Sequence, residues 1–155
     1  MYQMFSNRLF PLLLILILPV FAIAQNCGSV IVQNRMISGT QFVTSNLQTI
    51  VVRGNYSYSL EFMSNEKGIL ARVFSKSGVE FNQDDEIIFM DRSSVRKSYR
   101  FIEMGEVVNK SGTPVHQNIL QLDLAALEWF SSSMINVIYI KNNISNKMHK
   151  YTVNG

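Results

Sequence analysis

The chain has 155 residues, a formal charge of +3 and 47% hydrophobic side chains. Fourteen basic against 11 acidic residues give too weak an overall field to point to nucleic acid or an anionic membrane as a partner. One cysteine, Cys27, excludes an intramolecular disulfide framework, so stability must come from apolar burial.

The first 24 residues read as a cleaved signal peptide. Arg8 precedes an apolar run from Leu9 to Ile23, which ends in Ala22-Ile23-Ala24, with small residues where a signal peptidase reads. Cleavage is expected between Ala24 and Gln25. The alternative, a retained anchor, requires about 20 apolar residues, whereas this run is shorter and carries Pro11 and Pro19. A lipoprotein signal requires a small residue directly before its cysteine, and Asn26 precedes Cys27. The expected mature chain, 25–155, is a single β-rich domain without a stable membrane anchor. Its Cys27, close to the new terminus, reads as an exposed thiol, with an intermolecular disulfide as the alternative. The expected location is exported, periplasmic or extracellular.

From there the chain consists of short β-branched and aromatic runs separated by Gly, Asn, Ser and Asp. A first strand is read at Ser29 to Gln33 and a short turn at Thr44 to Leu47. Strands follow at Gln48 to Arg53, Tyr56 to Met63 and Gly68 to Ser75. In the second of these, Tyr56, Tyr58, Leu60 and Phe62 share one face and Ser57, Ser59 and Glu61 the other, as in a sheet with one wet side. Ile50-Val51-Val52 is apolar on both faces and reads as a central strand covered on each side.

The polar run Asn82-Gln83-Asp84-Asp85-Glu86, followed by Asp91, is the most chemically suggestive segment. Asp84, Asp85 and Glu86 could supply oxygen ligands to a metal such as calcium, or carboxylates for glycoside hydrolysis. The spacing of an EF-hand is absent, however, and a polar turn leading into a buried strand explains the run as well. That strand, Glu86 to Arg92, contains Ile87-Ile88-Phe89-Met90, again expected to be covered on both faces. Val95 to Met104 and Val115 to Leu124 continue the series across a break at Asn109 to Pro114. Arg92, Arg96, Lys97 and Arg100 read as a solvated strand face, or as a contact patch for an acidic partner.

One helix is expected near 124–131, with Asp123 as its N-cap. Asn136 to Lys141 and Lys147 to Val153 close the chain. The expected fold is all-β: a predominantly antiparallel β-sandwich or partly closed barrel with this one short helix.

Chemistry is sparse. His116 and His149 have no nucleophile turn or metal-ligand spacing beside them, no phosphate-binding glycine loop occurs, and no cofactor is called for. The Asn-X-Ser sequences at Asn55, Asn109 and Asn143 matter only in a eukaryotic secretory route. Leader and composition together resemble exported proteins of Gram-negative bacteria. The expected role is a noncatalytic binding or interaction module for a protein or glycan, with Tyr56, Tyr99 and Tyr139 as candidate ligand-binding rings. The alternatives are a hydrolase whose carboxylates converge on folding, and a structural or assembly protein.

Overall fold

A computed structural model describes residues 33–153. Ala24, Gln25, Cys27 and most of the Ser29 to Gln33 strand lie outside the described residues. The architecture is all-β with one short helix, as expected, in antiparallel sheets of which the larger is curled into a half-barrel.

That larger sheet is built from β1 (Gln33–Ile37), β2 (Thr40–Thr44), β3 (Gln48–Arg53), β4 (Tyr56–Asn65), β5 (Gly68–Lys76), β8 (Glu106–Lys110) and β9 (Thr113–Leu122). Its order is β1-β2-β4-β5-β9-β8, with β3 also on β4. The smaller sheet runs β11-β10-β6-β7, from β6 (Glu86–Asp91), β7 (Arg96–Arg100), β10 (Ile135–Lys141) and β11 (Met148–Thr152).

β2 and β3 share one edge of β4 in succession. β2 pairs through Thr44 with Met63, and β3 pairs from Gln48 with Leu60 onward. Ser45 fills the gap in the ladder: its N–H donates to the Phe62 carbonyl at 2.9 Å and its hydroxyl accepts from the Phe62 N–H at 3.0 Å. The short turn expected at Thr44 to Leu47 is therefore an extended break between two strands. A register shift between Thr49 and Val51 follows in β3, so the ladder on this edge of β4 is irregular.

The core lies between the sheets, as alternation requires. Tyr58, Leu60, Ala71, Val73 and Leu120 point inward from the large sheet, and Ile87, Phe89, Ile138 and Ile140 from the small one. Helix α1 (Leu124–Ser132) carries the chain from one sheet to the other. Asp123 is its N-cap, accepting the Ala126 N–H at 2.7 Å. A helix this short is marginal alone; Phe130 holds it, touching Phe62 of the large sheet at 5.7 Å between ring centroids and Phe89 of the small sheet at 4.9 Å.

Three further readings require correction. Val51 is fully buried but Val52 is 48% exposed, because Val51 pairs with the core residue Tyr58 while Val52 falls with Ser57 on the face turned away from the core. β6 is flanked on both edges, yet Ile88 and Met90 are only half-buried, because the small sheet has a core on one side. The strand expected from Val95 to Met104 stops at Arg100. There Phe101 turns into the core, and the Asn118 amide takes over the next segment, donating to the Glu103 carbonyl at 2.8 Å and accepting its N–H at 3.3 Å.

Candidate functional site

The face of the large sheet turned away from the core carries a trough of mixed polar and apolar lining. Ser57, Ser59 and Glu61 of β4 alternate with the inward-facing aromatics and leucine of the same strand, so they point away from the core. The β4–β5 hairpin sets Glu61 directly opposite Arg72, with Phe74 and Lys76 continuing along the same face. On β9, Gln117 stands opposite Phe74.

The β1–β2 hairpin brings in a residue from far along the chain. The Arg35 guanidinium meets Glu61 Oε1 at 2.7 Å, while that of Arg72 lies 3.9 Å from Oε2. Glu61 is buried, Arg72 is nearly so and Arg35 is half-exposed. A carboxylate out of contact with water is costly unless paired, and two guanidinium groups provide that pairing. The residual charge of the trough is positive, since Arg35, Arg72 and Lys76 face one carboxylate. Thr49, Ser57 and Ser59 add hydroxyls, with Thr49 and Ser59 hydrogen-bonded to each other at 3.1 Å. The open volume is about 520 Å³. Such a trough can hold an extended polar ligand, pairing acidic groups with the guanidinium and ammonium ends and hydroxyls with the serines.

A second cavity of about 340 Å³ opens between β3, β4 and α1, lined by Ile50, Leu60, Phe62, Leu127 and Phe130. Gln48 and Ser131 are its polar lining groups, so it offers little to orient a ligand.

The residues singled out in the sequence are dispersed. Asp84 occupies a turn at φ +66, a conformation Asp tolerates. Asp85 is buried, and its carboxylate accepts N–H groups of Asn82 at 3.0 Å and Asn143 at 2.8 Å together with the Asn142 amide at 3.3 Å. It thus ties two loops together. Glu86 points to the outer face of the small sheet and accepts the Ser98 hydroxyl. Asp91 is buried and accepts the Val95 N–H at 2.9 Å, closing the β6–β7 turn. Among the described residues, no group of three or more His, Cys, Asp or Glu is placed to hold a metal ion.

The three tyrosines do not share a surface. Tyr56 packs edge-on against Tyr58 and Tyr151, at 5.9 and 5.7 Å between centroids. Tyr99 stacks on Phe130 at 5.9 Å, and burial, followed by the nearby Asp123 carboxylate, raises its pKa above the ordinary tyrosine value. Tyr139 lies on the outer face of the small sheet between Arg96 and Lys150. His116 is half-buried on β9, opposite Ser75 and Val107. His149 lines a small cleft with Asp85, but its ring stacks on Tyr151, and Asp85 is already occupied by its N–H donors.

The sequence reading took Ser57, Ser59 and Glu61 for a plain wet face and missed Arg35, Arg72 and Lys76. The Glu61–Arg72 pairing was accessible from the hairpin centred on Glu66-Lys67, which fixes the register of β4 on β5. Arg35 was not, since its contact depends on where a separate hairpin lands. No protein-family model matches the chain, and neither a curated protein nor a solved structure matches it.

Proposed function

We propose that this chain is an exported, noncatalytic binding module of the cell envelope or the space outside it, and that its ligand is an acidic glycan held in the trough of the curled sheet. The export component rests on the leader 1–24 and the Ala24–Gln25 cleavage site. The ligand component rests on one observation: a buried carboxylate with two arginines on a sheet face that is not packed on the core. Three cations against one carboxylate favour a ligand bearing carboxylates, since guanidinium pairs with them in a planar, two-point geometry. The serine and threonine hydroxyls suit the hydroxyls of a sugar, and the Phe74 ring supplies an apolar surface of the kind sugars stack on.

A noncatalytic role agrees with the dispersal of Asp84, Asp85, Glu86 and Asp91 into loop ties, a turn and an outer face. Titration calorimetry with a uronic-acid oligosaccharide, and with its neutral counterpart as control, tests the reading. The acidic oligosaccharide is expected to bind, and Arg35→Ala and Lys76→Ala, both at partly or fully exposed wall positions, are each expected to weaken binding about five- to tenfold, the loss of one charged contact. Equal heats for the acidic and neutral sugars, or binding indifferent to both variants, would remove the trough from consideration.

A further inference from the structure

We infer that the outer face of the small sheet is a docking surface for an anionic lipid bilayer, a property separate from the trough. The strand register builds this face in rows. Across the sheet, Met148, Lys141, Glu86 and Arg100 form one row, Lys150, Tyr139, Ile88 and Ser98 the next, and Val137, Met90 and Arg96 lie in the third. Four cations therefore share the face with one carboxylate, in a chain whose total charge is only +3.

Two further observations show that these cations are directed outward. Among the described residues the ion pairs are those of Glu61 with Arg35 and Arg72, so Arg96, Arg100, Lys141 and Lys150 have no ion-pair partner there. Of the nearby carboxylates, Asp85 and Asp91 are buried in loop and turn hydrogen bonds, and Glu86, which stays on the face between Lys141 and Arg100, accepts from Ser98. The face is thus left positive by the placement of its acids as much as by its bases.

Between the cations lie side chains suited to a headgroup layer. Tyr139 has the Arg96 guanidinium 5.8 Å and the Lys150 ammonium 6.0 Å from its ring centre, and Met148 is 53% exposed at the edge. A tyrosine among long cationic side chains, with an exposed apolar chain beside it, matches the chemistry of the bilayer interface, where aromatic rings sit at headgroup level and Lys and Arg reach to phosphates. The core and the large sheet lie behind this face, so a chain seated on a bilayer in this way keeps the trough turned toward solution.

Vesicle co-sedimentation tests the inference, using the protein purified as cells process it, with phosphatidylcholine vesicles with and without phosphatidylglycerol. The protein is expected to sediment with the anionic vesicles and not the neutral ones, and to be released by high salt. Arg96→Gln with Arg100→Gln, both at exposed positions, should lower partitioning about 25-fold at about fivefold per cation, with an unchanged thermal midpoint. Arg35→Ala in the trough should leave partitioning unchanged, which separates this surface from the proposed glycan site. Equal partitioning into neutral vesicles, no sedimentation with anionic vesicles at low salt, or an undiminished double variant overturns the inference. So does binding of this face to an acidic polysaccharide without any binding to vesicles.

Discussion

Asp85 shows how a single side chain can resemble a ligand in the sequence and be a fastener in the fold. It belongs to a run of acids that would suit a cation, yet its carboxylate points inward and accepts from Asn82, Asn142 and Asn143. The loop before β6 is thereby joined to the loop after β10. Asp85→Ala would leave several buried donors without an acceptor, so a loss of about 3 kcal/mol of stability is expected, measured by urea unfolding. Calcium should neither stabilise the wild type nor rescue the variant, and a calcium-dependent rise in the unfolding midpoint would return this loop to the class of metal sites. The tyrosines follow the same logic. Alternation placed them on strands, but the side of the sheet facing the other layer decided which rings became core and left Tyr139 outside.

At the scale of elements, the hydrophobic pattern located β3, β4, β5, β6, β9, β10 and β11 closely and found α1 with its cap. It missed β1, β2 and β8, whose sequences Gln33–Ile37, Thr40–Thr44 and Glu106–Lys110 place their apolar residues in adjacent pairs rather than in alternation. The available clue was in the turns. Ser38-Gly39 and Ser111-Gly112 both have two successive residues at positive φ, +47 and +79 in one and +52 and +78 in the other. These are two-residue hairpin turns that glycine makes accessible. The break read at Asn109 to Pro114 was therefore a tight connection within a ladder. The first of these hairpins contributes Arg35, and its ion pair with Glu61 fastens it over the trough. Glu61→Gln should weaken that fastening and leave the largely buried Arg72 with less compensation. A loss of about 2 kcal/mol is expected, between the values for exposed and buried pairs, with faster amide hydrogen exchange concentrated in β1 and β2. Exchange accelerated equally in all strands would show that Glu61 does not act on the hairpin in particular.

For the whole molecule, the two sheets meet in a seam of tyrosines. Tyr58 of β4 and Tyr151 of β11 lie 4.6 Å apart between ring centroids, and the Tyr58 hydroxyl also accepts the Val79 N–H at 3.1 Å. Burial, then the hydrogen bond with Tyr58 and the nearby Tyr58 and Tyr56 phenols, raise the Tyr151 pKa far above the ordinary value of 10.0. A phenol harder to ionise in the folded state means that the unfolded chain loses its proton first. Stability from this group is complete below about pH 10 and declines as the pH rises beyond it. Tyr151→Phe should flatten that decline in unfolding experiments run from neutral pH into alkali. An unchanged slope would assign alkaline sensitivity elsewhere.

By itself the sequence determined the class of fold, most strand positions, the helix with its Asp123 cap, and the core-facing set Tyr56, Tyr58, Leu60 and Phe62 of β4. Each of these follows from local periodicity or local capping, which need no knowledge of distant segments. Tertiary structure decided the rest: the curl of the larger sheet, the meeting of Arg35 with Glu61, the inward turn of Asp85 and Asp91, and the collection of Arg96, Arg100, Lys141 and Lys150 on one face. Those features depend on which strand lies beside which and on which face is covered. Such pairings join residues far apart in the chain, where the periodicity of any one segment carries no information.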